Sequence, residues 1–237
     1  MVPSIDAIIN RQLLKWELER KKAQEEDQPR LKPPRIVTIS RQTGSRGSYF
    51  ASRLAQKMDY VRLHREVIDE VCNSSGYRKR IIESLDNKFR SNLELTVESV
   101  LTGQSVDHSD YIRHLFKVVL SMSRLGGVIL VGRGGNFILG PTRGFHIRFI
   151  APKEKRVENL IKYVNATEKE ALASIEKSDT TRRQFISKVF HANIDDPGHY
   201  DIVINSEFID IEELVDTTVR AIMGKFDKLT YLDHDQP

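Results

Sequence analysis

Three short stretches concentrate the residue types that handle anions. The first, "SRQTGSRGS" at 40–48, joins Arg41 and Arg46 to glycines at 44 and 47 and ends on Ser48. The second, "VGRGGNF" at 131–137, sets Arg133 between glycines, and the third, "DTTRRQF" at 179–185, puts Arg182 and Arg183 one helical turn after Asp179. A guanidinium offers phosphate a planar fork of N–H donors, and glycine lets successive backbone N–H groups converge on one anion. The chemistry these stretches would share is the binding or transfer of phosphate. The first and third also have plainer readings: Gly44 and Gly47 as parts of an ordinary βα turn, and the Asp179 to Arg183 run as a solvated, charge-paired helix face.

The elements around these stretches decide whether they meet. "RIVTIS" at 35–40 is strand-like and 48–58 is helical, so the first turn stands between a strand and a helix. "YVRL" at 60–63 is a short second strand, and 64–125 is helical by periodicity, with breaks near Asn73 to Gly76 and at Gly103. "VILV" at 128–131 is a run of the kind buried on both faces of a parallel sheet, and it leads straight into Arg133. "FHIRFIAP" is a fourth strand and "YDIVINS" a fifth, with helices between them and a closing helix after. Five strands alternating with helices predict an open, parallel α/β sheet, whose ligands bind beyond the carboxyl ends of the strands. All three arginine-bearing stretches would then face one edge.

Tested against G-x-x-x-x-G-K-[ST], the first turn fails in every register. With Ser48 in the hydroxyl slot, the first glycine becomes Arg41, the second becomes Arg46, and the lysine becomes Gly47. The strand-turn-helix context is right for a phosphate loop; the lysine is not there.

The order of the pieces resembles the cytidylate kinase-like family of P-loop proteins. The turn with G-S-x-G, the helical insert, "GRGGNFIL", "APKEKRVE", the helix "EKEALASIEKSDTTRRQFI" and "DDPGHYDIVINSEFIDIEELV" stand in that family's order from about Ile36 to Ile222. The resemblance implies a three-layer P-loop NTPase-like fold spanning 35–225, with 64–125 as the monophosphate-binding insert and 165–192 as the lid region. It implies a nucleoside monophosphate kinase that uses ATP with Mg²⁺, CMP being the favoured acceptor. By position, Arg41, Gln42, Thr43, Gly44, Ser45, Arg46, Gly47 and Ser48 would hold the donor's phosphates, Ser48 reaching the nucleotide-bound Mg²⁺ and no protein cage holding a metal. Arg133 would grip the acceptor's phosphate, and Arg182 and Arg183 would neutralise the transferring group. Two departures stand out: Arg46 takes a place this subfamily gives to glycine, and Gly134 the place where cytidylate kinases carry an aspartate. Arg46 would either close off a left-handed backbone or bring a guanidinium over the phosphates. The missing lysine, Arg46 and Gly134 motivate an alternative, a nucleotide-binding regulatory or sensor module with little or no kinase activity.

Composition narrows the classes. In 237 residues, 37 basic and 33 acidic side chains leave a net charge of +4, a mild preference for anions. One cysteine, Cys72, excludes an intrachain disulfide and fits a reducing compartment. The N-terminus reads as no secretory signal, and no apolar run approaches the roughly 18 residues of a membrane span, so a soluble cytoplasmic protein is expected. The short basic clusters at 20–22 and 78–80 lack interleaved aromatics and read as solvated faces rather than nucleic-acid sites. Ile5, Ile9, Leu13 and Trp16 define an amphipathic helix over 4–22 that precedes the core, folded back on its own domain or forming a homodimer contact. Residues 20–34 read as a linker, completing an N-terminal segment of 1–34, and 226–237 as a loose tail.

Overall fold

The computed structural model describes residues 4–25, 36–85, 87–102 and 109–234; the greater part of the expected linker lies outside them. An N-terminal helix α1 (Ile5–Glu25) is followed by β1 (Ile36–Arg41), α2 (Gly47–Met58) and β2 (Val61–His64). Four helices then form the insert: α3 (Arg65–Asn73), α4 (Ser75–Glu83), α5 (Asn87–Thr102) and α6 (Asp110–Leu125). The chain returns through β3 (Val128–Val131), the short α7 (Gly135–Leu139), β4 (Phe145–Ile150), α8 (Lys153–Val164), the long α9 (Glu168–Phe190), β5 (Ile202–Asn205) and α10 (Ile211–His234).

The five strands are parallel, in the order β2-β3-β1-β4-β5. β1 lies at the centre because the chain leaves it to one side, through β2 and β3, and later crosses to the other, through β4 and β5. That reversal opens a crevice at the carboxyl end of β1, the place where open α/β sheets bind ligands. Alternation along the central strands feeds two cores. Ile36, Val128 and Leu130 pack with α1, the insert, α7 and α9, whereas Val37, Ile39, Ile129 and Val131 pack with α2 and α10. The architecture is therefore three-layered, as the family resemblance implied, and built on the open parallel sheet that the strand-helix rhythm predicted. Among the described residues no helix is long and apolar enough to cross a membrane.

Local chemistry sets the ends of the elements that matter most. Thr167 and Glu170 form a reciprocal capping box at the start of α9, and His191 ends that helix in a left-handed conformation. The register that sets Ser40 opposite Arg148 carries a polar file, Thr38, Ser40, His146 and Arg148, across β1 and β4.

Two sequence expectations are corrected. Helix α1 belongs to the core: Ile9, Leu13 and Trp16 are buried in it, and the Trp16 indole donates to the Gly126 carbonyl at 2.8 Å. The face of Ile9, Leu13 and Trp16 is thus covered within the chain, each such side chain contributing about 1.5–3 kcal/mol of burial, while Leu14 and Leu18 of the same helix stay exposed. The helix α10 continues to His234 rather than giving way to a loose tail at 226, because Phe226 is buried and Leu229 packs beside it on the same face.

His146 gives the fold a pH dependence. Its ring is buried, with Nε2 2.8 Å from the Gly140 carbonyl and Nδ1 2.8 Å from the Thr38 hydroxyl. A carbonyl only accepts, so Nε2 carries the proton and Nδ1 accepts from Thr38, which satisfies the neutral ring completely. Burial lowers the pKa from its ordinary 6.5, with the Gly140 bond and the Asp201 charge opposing and Lys225 assisting. A base with a lowered folded pKa is protonated first in the unfolded chain, so its contribution is full above pH about 6.5 and declines as pH falls below it. Urea unfolding at pH 8.0 and 5.5 should show lower stability at the acid pH, with a smaller drop in His146→Gln; equal drops would refute this assignment.

Candidate functional site

The crevice at the end of β1 is a cleft bordered by Arg41, Arg65, Arg133 and Arg182, with Glu66 as the carboxylate among its lining residues. Arg41 is the last residue of β1, and it points across the edge toward Gly132, which follows β3. Its Nε is buried and has no hydrogen-bond partner, and no acidic group within the described residues forms an ion pair with it. Burial, then the charge of Arg182, pulls its pKa from 12.5 down to about 10, against the opposing pull of Glu66. A cation held this far from water without a counter-ion is costly unless an anion completes the site.

The loop from Gln42 to Ser48 is fixed from several sides. The Gln42 N–H donates to Phe149 and its side-chain oxygen accepts from the Ala151 N–H, so the loop is fastened to the end of β4. Thr43 Oγ1 accepts from Arg182 at 2.8 Å and its hydroxyl donates to Ser178, while the Thr43 N–H reaches Asp179 at 3.4 Å. Ser45 is buried, donating to the Gln42 carbonyl and accepting from the Gly47 N–H. Ser48 is exposed on the first turn of α2. The N–H groups of Gly44, Arg46 and Ser48 meet no acceptor within the described residues. Donors at the start of a helix with nothing to donate to fit a phosphate. A nucleotide's Mg²⁺ would take its remaining ligands from phosphates and water, the usual arrangement for this ion, with Ser48 placed on the same turn.

Arg46 does neither of the things expected of it. The left-handed backbone is kept, at φ 64°, so the turn has its glycine-like shape despite the side chain. The guanidinium turns away from the loop and lies between two rings, 4.9 Å from the centroid of Tyr49 and 4.7 Å from that of Tyr163. Arg46 therefore contributes a backbone N–H to the loop and no side-chain charge over it.

The other predicted arginines divide. Arg133, left-handed at φ 56°, is held by Asp69 of α3 through Nε at 2.7 Å and through Nη2. Tyr111 of α6 donates to the same carboxylate at 2.7 Å. Burial opposes ionisation of Asp69, but these bonds outweigh it and keep the carboxyl below its ordinary range. The insert thus sets the plane of Arg133, although nothing in the local sequence pairs the two. Arg182 lines the cleft and ties α9 to the loop through Thr43 Oγ1 and the Arg41 carbonyl at 3.1 Å. Arg183 does not line this cleft: its side chain is 58% exposed and faces Asp195 at 3.6 Å, beside a small adjoining cavity that it shares with Arg41 and Arg182.

Sequence reading missed Asp69 and Tyr111 and two buried arginines. Arg148 of β4 donates to Ser40 at 2.8 Å and to Asp195 at 2.6 Å; Arg156 of α8 pairs with Asp179. The signal for Arg148 was present, a charge in a mostly apolar strand, two residues after His146 on the same face. Gly134, the position of the absent aspartate, is left-handed at φ 67°, and a Cβ there would lie 2.8 Å from Cζ of the Phe190 ring.

Comparison with known proteins gives the following. A family model described as the cytidylate kinase-like family matches residues 36–207. A crystal structure of an uncharacterized protein from Eubacterium ventriosum is similar with a TM-score of 0.64 at 19% identity, over 81% of this chain and 99% of that one. A shikimate kinase from Bacteroides thetaiotaomicron has a TM-score of 0.43 at 11% identity, over 80% of this chain and 98% of that one. A curated protein of Corynebacterium glutamicum described as a uronate isomerase is 35% identical over 102 residues, 43% of this chain and 20% of the relative. The match thus spans a fifth of that relative's length.

Proposed function

Because the chain belongs to the cytidylate kinase-like family, we propose that it transfers the γ-phosphoryl group of ATP to a nucleoside monophosphate, with CMP the favoured acceptor. The observation that carries this reading is the convergence of Arg41, Arg133 and Arg182 on one cleft at the end of β1, beside a loop with unused N–H donors. Phosphoryl transfer asks for in-line positioning and positive charge rather than covalent help, and that is what these residues offer.

In this reading the donor's phosphates rest on the N–H groups of Gly44, Arg46 and Ser48, and Mg²⁺, arriving with ATP, screens their charge. Arg133, with its plane fixed by Asp69, receives the acceptor's phosphate. An oxygen of that phosphate attacks the γ-phosphorus, the bond to the β–γ bridging oxygen breaks, and ADP leaves. Arg182 lies between the loop and the cleft and stabilises the charge spreading over the transferred oxygens; Arg183, turned toward solvent, has no part in it. The single cysteine supports a cytoplasmic setting.

A second reading, nucleotide binding without efficient turnover, is favoured by one observation: the lysine slot holds Gly47, where a Cβ would lie 2.7 Å from Arg41 Cβ and 3.1 Å from Phe149 Cβ. A coupled assay of ADP release with ATP, Mg²⁺ and each of CMP, dCMP, UMP and AMP separates the two. Turnover well above the rate without acceptor, highest with CMP, is expected. Tight ATP binding with no turnover for any acceptor would establish the second reading instead.

A further inference from the structure

The same steric fact explains where the lysine went. With Ser48 in the hydroxyl slot of the phosphate-loop pattern, Arg41 stands where the pattern has its first glycine and Gly47 where it has lysine. The two positions touch: a side chain at 47 would begin 2.7 Å from Arg41 Cβ, and the Arg41 guanidinium runs on to lie with Nη1 2.9 Å from where a Cβ of Gly132 would be. A side chain of any size at one position thus requires glycine at the other. Gly132 likewise leaves room for the far end of the side chain. The exchange conserves one positive charge at the junction of loop, β1 and β3, and moves only the point from which it is hung.

We propose that Arg41 is a catalytic residue that replaces the phosphate-loop lysine, its guanidinium binding the donor's phosphates from the end of β1. The proposal rests on the nucleotide-kinase reading for its substrate. Three further observations support it. Arg41 lines the cleft, its buried Nε has no protein partner, and no acidic side chain within the described residues pairs with it. Arg148 and Arg156, the other arginines with a buried unsatisfied Nε, are each neutralised, by Asp195 and Asp179. Arg133 is neutralised by Asp69. Arg41 is the cation of this cluster whose counter-ion must come from the ligand. Burial and the neighbouring charge of Arg182 already depress its pKa to about 10, and an anion would relieve that strain.

The test measures Mg·ATP affinity by calorimetry and turnover with CMP in six proteins: wild type, Arg41→Ala, Arg41→Gly, Arg41→Lys, Gly47→Lys and the exchange Arg41→Gly/Gly47→Lys. Melting curves accompany each. A charged hydrogen bond to phosphate corresponds to about a 10- to 100-fold change in affinity. Arg41→Ala should weaken ATP binding by about 10-fold or more, and Arg41→Lys should keep most of it. Gly47→Lys alone should lower both melting temperature and affinity, because Arg41 fills the space it needs. The exchange should recover melting temperature relative to Gly47→Lys, and at least about 10-fold in affinity relative to an Arg41→Gly control. Wild-type ATP affinity in Arg41→Ala, or a Gly47→Lys protein that melts and binds like wild type, would overturn the proposal. If the wild type binds ATP but turns over no acceptor, the kinase reading fails and the affinity series still decides the role of Arg41. If the wild type binds no ATP, both fall.

Discussion

With Arg182 replaced by alanine, kcat for ATP and CMP is expected to fall by about 10²- to 10³-fold while the protein stays folded. The size follows from the loss of one preorganised donor aimed at charge that develops in the transition state. Arg182 is preorganised by two bonds, to Thr43 Oγ1 at 2.8 Å and to the Arg41 carbonyl at 3.1 Å, which hold it against the loop before any nucleotide arrives. Burial, partly opposed by Asp179, lowers its pKa, so part of the cost of removing its water has been met in folding. The fold should tolerate the change, because Asp179 keeps Arg156 as its nearer ion partner, Arg182 lying 3.6 Å away. Steady-state kinetics at saturating ATP and CMP, with a melting curve, make the check. An Arg182→Ala enzyme within about threefold of wild-type kcat would remove Arg182 from the mechanism. The corresponding Arg183→Ala variant, with its guanidinium turned toward Asp195, serves as the internal control.

The loop's neighbours explain how so much charge is held without mutual repulsion unfolding the edge. Asp179 faces Arg156 and Arg182, Asp195 faces Arg148 and Arg183, and Asp69 faces Arg133 and Arg65. Three carboxylates, from α9, from the segment before β5 and from the insert, each answer two arginines. Arg41 sits inside this frame without such a partner. An anion that completed this charge pattern, as proposed above, would raise the protein's stability when present.

The fold was legible in the sequence wherever one element dictates its own burial. "VILV" could only be a central strand, and the helix face of Ile9, Leu13 and Trp16 could be named, though not what would cover it; periodicity gives a face and leaves its partner open. The same limit hid the setting of Arg133. Its position beyond β3 was readable, but Asp69 is 64 residues away and Tyr111 is 42 residues from Asp69, and the three come together only when the insert folds. The tail was misread for a different reason. Asp227 and Lys228 break the apolar run, yet Phe226 and Leu229 keep the spacing of Leu214, Thr218 and Ile222, and tertiary packing on α2 extends the helix along that face. Arg46 was misread because a motif treats a side chain as charge near a phosphate, whereas the left-handed backbone aims it at Tyr49 and Tyr163.

Gly134 shows the same lesson in the other direction, and here the expected effect on stability is the largest. Restoring the aspartate that cytidylate kinases carry, Gly134→Asp, should destabilise the protein by about 3 kcal/mol or more and should not improve turnover. Two costs add. The backbone is left-handed at φ 67°, which costs a non-glycine residue about 1 kcal/mol or more. The new Cβ would also lie 2.8 Å from Cζ of Phe190, a ring that is buried and stacked 5.2 Å from Phe137 and 6.0 Å from Phe116, with Ile186 3.2 Å from the same Cβ. Forcing volume into such a cluster costs about 1–3 kcal/mol before the burial of a carboxylate is counted. If Phe190 is the obstacle, the two changes cannot be additive. Phe190→Ala alone should cost about 3–5 kcal/mol, and the double variant should cost clearly less than the sum of the singles. Additive costs in urea unfolding would show that the ring is not what excludes the aspartate. Non-additive costs would mean that aspartate and phenylalanine are alternatives for one volume, and that this chain has filled the acid's place with core.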